Sequence, residues 1–132
     1  MKCLDVVAWI RIENKRLLCA RTRGNNTFYL PGGKREAGES DWAALSREVL
    51  EEVKVDLIQS TFRELVTIKE KAHGHGSQTW VSMKCFFANS IGRPTASAEI
   101  EEIVWMRYVD KVRCAPATQR VIEYLFERQF ID

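Results

Sequence analysis

Apolar and polar positions along the chain change period twice, from alternating to helical and back to alternating, before a closing helical stretch. Leu4 to Ile12 is rich in Val, Ile and Trp, Asn14-Lys15 supplies turn residues, and a second apolar run covers Arg16 to Ala20. This pattern predicts a hairpin of two strands. Gly24-Asn25-Asn26 interrupts it, and Thr27 to Leu30 reads as a short strand stopped by Pro31-Gly32-Gly33. A helix is expected next. Ser40 is a good N-cap, Asp41 places negative charge where first-turn N–H groups point outward, and Trp42, Leu45, Val49 and Val53 recur at helical spacing. Phe62 to Lys69 and Thr79 to Phe87 then read as strands joined through His73-Gly74-His75-Gly76, with a further strand over Ile103 to Tyr108. Val121, Ile122, Leu125 and Phe126 predict a final helix within Ala115 to Phe130. No repeat or linker divides the chain, so one domain spanning 1–132 is expected.

Composition narrows the class of partner. Hydrophobic residues at 45% and charged residues at 29% are the balance of a globular protein with its own core, which excludes a disordered chain. Twenty Lys and Arg against eighteen Asp and Glu leave a formal charge of +2, so no duplex nucleic acid is expected as partner. Any phosphate chemistry must come from a local site. Cys3, Cys19, Cys85 and Cys114 form no Cys-x-x-Cys pair and are read as reduced thiols. The start of the chain lacks the flanks of a signal peptide and no run has membrane-spanning length, so a cytoplasmic location with no membrane partner is expected.

The chemistry is concentrated between Gly33 and Val55. Glu48, Glu51 and Glu52 stand at i, i+3 and i+4, which projects three carboxylates from one face of the predicted helix. Like charges at this spacing cost a few tenths of a kcal/mol per pair, a cost that a divalent cation relieves. Magnesium takes hard oxygen ligands, commonly one or two carboxylates with waters and substrate phosphates. Taken alone, an Arg-Glu-x-x-Glu-Glu run also fits a solvated helix face with Arg47 pairing Glu51. The conjunction of strand, Pro-Gly-Gly turn, acidic loop and this helix favours the metal.

That segment resembles the Nudix box, Gly-x5-Glu-x7-Arg-Glu-aliphatic-x-Glu-Glu-x-Gly-aliphatic, over Gly33 to Val55, and eight of its nine specified positions agree. The departure is Lys54, where the family has glycine. A residue just past a helix end is commonly left-handed, so Lys54 is expected either to adopt that conformation at a cost of roughly 1 kcal/mol or to prolong the helix. The flanking strands, the Trp105 strand and the terminal helix look similar to MutT-type members. The resemblance implies an α/β fold in which a mixed, curved sheet is sandwiched between helices. It also implies metal-dependent cleavage of a pyrophosphate linkage in a nucleoside diphosphate derivative.

Residue by residue, the resemblance assigns Glu48, Glu51 and Glu52 to magnesium, with manganese as the alternative. Glu39 and Arg47 match positions that pair and orient the catalytic helix, and Gly33, with Gly32 beside it, matches a turn whose backbone carbonyl reaches the metal. MutT-type members use a further glutamate outside the box; counting back from Trp105 favours Glu99, with Glu101 and Glu102 as rivals. Arg21, Arg23, Lys34 and Arg35 are candidate phosphate contacts. Tyr29 is the candidate for stacking on a base, followed by Trp80 and Trp105. Thr118 stands near a family position for a base-reading Asn, which does not support oxidised-guanine selectivity. His73 and His75 alternate with glycine in a loop, too sparse a set for a metal site but within reach of a substrate.

The resemblance thus favours hydrolysis of a nucleoside triphosphate or related nucleotide to a monophosphate and pyrophosphate. The alternatives are a non-catalytic nucleotide-binding module of the same fold, or a hydrolase of nucleotide sugars or dinucleotides. Glu70, Lys71 and Ala72 occupy the region where ADP-ribose enzymes carry proline and dinucleoside polyphosphate enzymes carry tyrosine, and favour neither. The partner is a small-molecule nucleotide, and a homodimer is left open.

Overall fold

The structure, a computed structural model, describes residues 2–74 and 78–132; the expectation for His75 falls outside them. Four strands form the main sheet in the order β4 (Gly32–Lys34), β1 (Lys2–Ile10), β7 (Thr79–Phe87), β6 (Arg63–Lys71). β1 and β7 run parallel, with Lys2 opposite Thr79 and Ile10 opposite Phe87, while β4 and β6 run antiparallel to their neighbours. A second, antiparallel sheet joins β2 (Ile12–Glu13), β3 (Arg16–Thr22) and β9 (Ile100–Met106), and β5 (Asp56–Leu57) pairs with β8 (Ser90–Ile91).

Alternation along the strands sorts side chains onto two helices, α1 (Asp41–Val53) and α2 (Pro116–Glu127). Ala8, Ile10, Leu17, Cys19, Met83 and Met106 bury themselves with Val121, Ile122 and Leu125 of α2. Val7, Trp9, Leu18 and Phe86 bury themselves with Leu45, Val49 and Val53 of α1. A mixed sheet with a helix on either side is the expected α/β/α sandwich. Full burial of a Leu, Val or Ile side chain contributes about 1.5–3 kcal/mol, so both helices are held by the sheet more than by intrinsic propensity.

At the start of α1, Ser40 Oγ accepts from the Ala43 N–H at 3.1 Å, as its position before the apolar stripe predicts. At its end Lys54 sits at φ 57° and ψ 38°, left-handed, and its N–H donates to the Leu50 carbonyl. The helix therefore stops where the glycine of the box would stop it.

Several sequence expectations need correction. β1 does not hairpin with β3; it ends at Ile10, and the hairpin is formed by the short β2 with β3 across Asn14 and Lys15, both at positive φ. The reason lies in β1 being apolar on both faces, which suits a central strand flanked by two layers. Thr27 to Leu30 is no strand and contributes only isolated bridges from Phe28 and Tyr29. Gly32-Gly33, read as a stop, instead forms the edge strand β4. The strand expected at Ile103 to Tyr108 begins earlier, at Ile100, and gives way to a 3-10 turn over Tyr108–Arg113. The final helix ends at Glu127.

Candidate active site

β4 and α1 together build the acidic centre. Gly32 is at φ +148°, and a Cβ there would lie 2.1 Å from the Val7 carbonyl oxygen, so only glycine lets the chain pass this close to β1. That approach aims the Gly32 N–H at Glu52 Oε1, 3.0 Å away. At Gly33 an added Cβ would lie 2.4 Å from Glu48 Oε2, so the bare backbone is what makes room for this carboxylate.

Arg47 fixes the helix face from the side. Its Nε and Nη2 donate to the two oxygens of Glu39 at 2.7 and 2.9 Å, Nη1 donates to Glu48 Oε1 at 2.7 Å, and Nη2 also donates to the Lys34 carbonyl. This fork leaves little freedom to the Glu48 carboxylate. The Arg47 hydrogen bonds, with the Glu36 N–H, hold the Glu39 carboxyl down to about 2. Glu52 behaves oppositely. Burial pushes its carboxyl up to about 8, with the negative charges of Glu48 and Glu51 adding to the effect and the Gly32 N–H opposing it.

The three carboxylates are therefore neighbours, but they do not converge equally. Glu48 and Glu52 lie against the glycine turn while Glu51 is exposed beside them. Among the described residues no group of three or more acidic, histidine or cysteine side chains is already gathered closely enough to hold an ion. Arg47 holds the Glu48 carboxylate from one side, and Glu51 stays exposed. The donor set still fits a hard divalent cation: all its ligands are oxygens, and Glu52, displaced upward first by burial and then by the charges of Glu48 and Glu51, gains from a cation beside it.

Glu52 and Gly32-Gly33 form one end of a cavity of about 410 Å³. Its walls are apolar, from Leu4 and Val6 of β1 and Val81 and Met83 of β7, and Tyr29 and His73 close its other side with the Tyr29 hydroxyl hydrogen-bonded to His73 Nδ1. Thr118, at 1% exposure, lies on its lining. The loop before β9 docks on the end of α1, where Ser97 and Thr95 N–H groups donate to the carbonyls of Glu52 and Val53, both at 2.9 Å. Glu99 is exposed on this loop. Its rivals are engaged elsewhere, Glu102 with Arg21 at 2.6 Å and Glu101 with Arg23 at 3.4 Å.

Other expected contacts are not brought to the cavity. Arg21 and Arg23 are held by those acids, and it is Ala20 and Thr22 that line the wall. Arg35 is clasped by Asp5 and Asp41 at the helix start, while Lys34 is exposed and offers its carbonyl to Arg47. Trp80 is excluded by period-two alternation: Val81 and Met83 face the cavity, so Trp80 faces the other way. Trp105 packs against the α1 core. The Gly32 N–H and the apolar walls were the features missed, although the alternation of β1 and β7 carried the signal for the walls.

Comparison with known proteins decides the family. The family model for the NUDIX domain matches residues 1–126. The chain belongs to the Nudix family. As a Nudix hydrolase it acts on a pyrophosphate linkage, and its box is the Gly33 to Val55 segment whose geometry is described above. No protein of curated function matches it. Solved structures share the fold at low identity. The E. coli ORF135 protein is 23% identical with a TM-score of 0.76, covering 96% of this chain and 91% of that one. The MutT protein of Methanosarcina mazei Go1 is 18% identical with a TM-score of 0.77, covering 96% and 95%. A UDP-X diphosphatase is 20% identical with a TM-score of 0.77, covering 96% of this chain and 63% of that one. Among the described residues no helix is long and apolar enough to cross a membrane.

Proposed function

We infer that this Nudix hydrolase cleaves a nucleoside triphosphate or related nucleotide to a monophosphate and pyrophosphate. The observation that carries the reading is one cavity with two chemically distinct ends. Leu4, Val6, Val81, Met83 and Tyr29 offer apolar and aromatic surface suited to a base, and the Gly32-Gly33 turn with Glu52 offers the acidic end. A nucleotide has the matching halves.

Glu48, Glu51 and Glu52, with a carbonyl of the glycine turn and Glu99 from the docked loop, would hold magnesium, or manganese in its place. Such an ion supplies neutralisation of phosphate oxygens and a bound water of lowered pKa. The chain's own residues prepare the site. Arg47, tied to Glu39 on one side and Glu48 on the other, keeps that carboxylate aimed at Gly33, a positioning role. Glu52 is kept in place by the Gly32 N–H, and as a carboxylate it is the group best placed to accept a proton at the acidic end of the cavity. Tyr29 orients the base.

The test is a panel of deoxynucleotides, oxidised nucleotides, nucleotide sugars and dinucleotides, assayed with magnesium and with a chelator. Monophosphate and pyrophosphate release from a nucleoside triphosphate, abolished by chelation and by Glu51→Gln, is the expected result. Binding with no release under any condition, unchanged in Glu51→Gln, points to a non-catalytic module.

A further inference from the structure

A second cavity, also of about 410 Å³, lies away from the acidic centre. It is lined by Arg11, Ser60, Thr61, Arg63 and Asn89 over a floor that includes Phe87, and no acidic residue lines it. β6 places it at the far end of the sheet: Arg63 lines this cavity and Lys71 lines the first, eight residues along one strand. At the usual rise this separation is roughly 25 Å.

Two arginines therefore line a mostly polar hollow. Arg63 stacks over the Phe87 ring, its carbon 4.8 Å from the centroid, and makes none of the ion pairs found among the described residues. Arg11 reaches Glu13 only at 4.0 Å, and Glu13 is occupied by Arg93 at 2.9 and 3.1 Å. Most telling, Arg11 Nε is buried and has no acceptor, the one such side-chain atom among the described residues. Buried donors are almost always satisfied, by protein groups, water or an ion, so Arg11 carries a donor for which the chain itself supplies no acceptor. The hydroxyl of Ser60 and the amide of Asn89 stand on the same lining, while Thr61 Oγ1 is already used by the Ile58 carbonyl and the Asn89 N–H.

We propose that this hollow is an anion-binding site for a phosphate or diphosphate group, distinct from the site of hydrolysis. Planar guanidinium forks match the spaced oxygens of a phosphate, and the neighbouring hydroxyl and amide donors match its remaining acceptors. Two arginines on a lining whose described residues include no acid disfavour a cationic ligand and favour a multiply charged anion.

Inorganic pyrophosphate, inorganic phosphate and citrate are titrated at constant ionic strength into the full chain with a chelator present, following backbone amide shifts. Without divalent cations the acidic centre repels all three, so the experiment is independent of the hydrolytic reading. Saturable shifts at Ser60, Thr61 and Asn89 with pyrophosphate are expected, with weaker binding of citrate. Arg11→Gln or Arg63→Gln should each weaken binding about tenfold or more, the loss typical of a charged hydrogen bond, and the double substitution should abolish it. Arg63 lies at the start of a strand with its side chain on the surface, so Arg63→Gln carries the test even where Arg11→Gln disturbs folding. The absence of saturable shifts, shifts centred on Gly32 and Gly33, equal binding of citrate, or indifference to both substitutions would each overturn the proposal.

Discussion

Glu52 ties the fold's stability to the state of the acidic centre, and the coupling can be measured without any substrate. Burial beside Glu48 and Glu51 raises its carboxyl from 4.5 to about 8. Because the folded value lies above the unfolded one, the folded chain binds the proton more tightly. Its contribution to stability is complete below about pH 4.5 and is lost as the pH rises through about 8. The full shift corresponds to about 5 kcal/mol at 1.36 kcal/mol per unit, and residual contact with solvent brings the expected loss nearer 2–3 kcal/mol. Glu52→Gln removes the ionisation while keeping an oxygen to accept from the Gly32 N–H. Urea unfolding at intervals between pH 5 and 9, with a chelator present, compares the two proteins. The wild type should lose stability over this range relative to Glu52→Gln, and magnesium at pH 8.5 should restore the wild type selectively. Parallel pH profiles for the two proteins, or equal stabilisation of both by magnesium, would show that Glu52 does not couple stability to the acidic centre.

Arg47→Lys keeps a charge but not the fork that grips Glu39 and Glu48; kcat should fall roughly 10–100-fold, as for other residues that orient metal ligands, with fold stability nearly unchanged. An unaltered kcat would remove Arg47 from the site. Gly32→Ala places a methyl group 2.1 Å from the Val7 carbonyl oxygen and should cost about 3 kcal/mol or more by thermal unfolding; a loss under 1 kcal/mol would contradict the packing of β4 on β1. Lys54→Gly relieves a left-handed non-glycine residue at the end of α1 and should stabilise the fold by about 1 kcal/mol, read as a raised Tm; a lowered Tm would argue against that conformation. Hydrolysis should be weak below neutral pH and rise toward alkaline pH, since the attacking water must lose a proton; a flat profile would count against a metal-activated water.

What the chain disclosed in advance and what it withheld have separate physical causes. α1 was legible because its cap, its apolar stripe and its acidic face are all local, encoded within Ser40 to Lys54. The pairing of Glu39 with Arg47 was legible only through resemblance, since nothing in the spacing of eight residues dictates it. β1 was recognisable as a strand, but its partner was not: a run apolar on both faces fits a central position, and the choice of β7 as parallel neighbour depends on contacts far along the chain. Gly32-Gly33 has the sequence signature of a terminator because glycine usually breaks strands, whereas here its lack of a side chain permits an edge strand to lie against β1 and Glu48. Arg21 and Arg23 are phosphate candidates on charge and on strand alternation, and the acids of β9 that pair with them become visible only when β3 pairs with that strand. For Trp80 strand phase is decisive: one residue out of step with Val81, it is not on the cavity lining.

Glu48, Glu51 and Glu52 are proposed to gather a divalent cation at the glycine turn, beside the cavity proposed for the nucleotide. Manganese titrated into labelled protein reports this directly, through paramagnetic broadening of backbone amides. Broadening should centre on Gly32, Gly33 and the last turns of α1, and should vanish in the Glu48→Gln, Glu52→Gln double variant. Broadening centred elsewhere, or retained undiminished in that variant, would contradict the account.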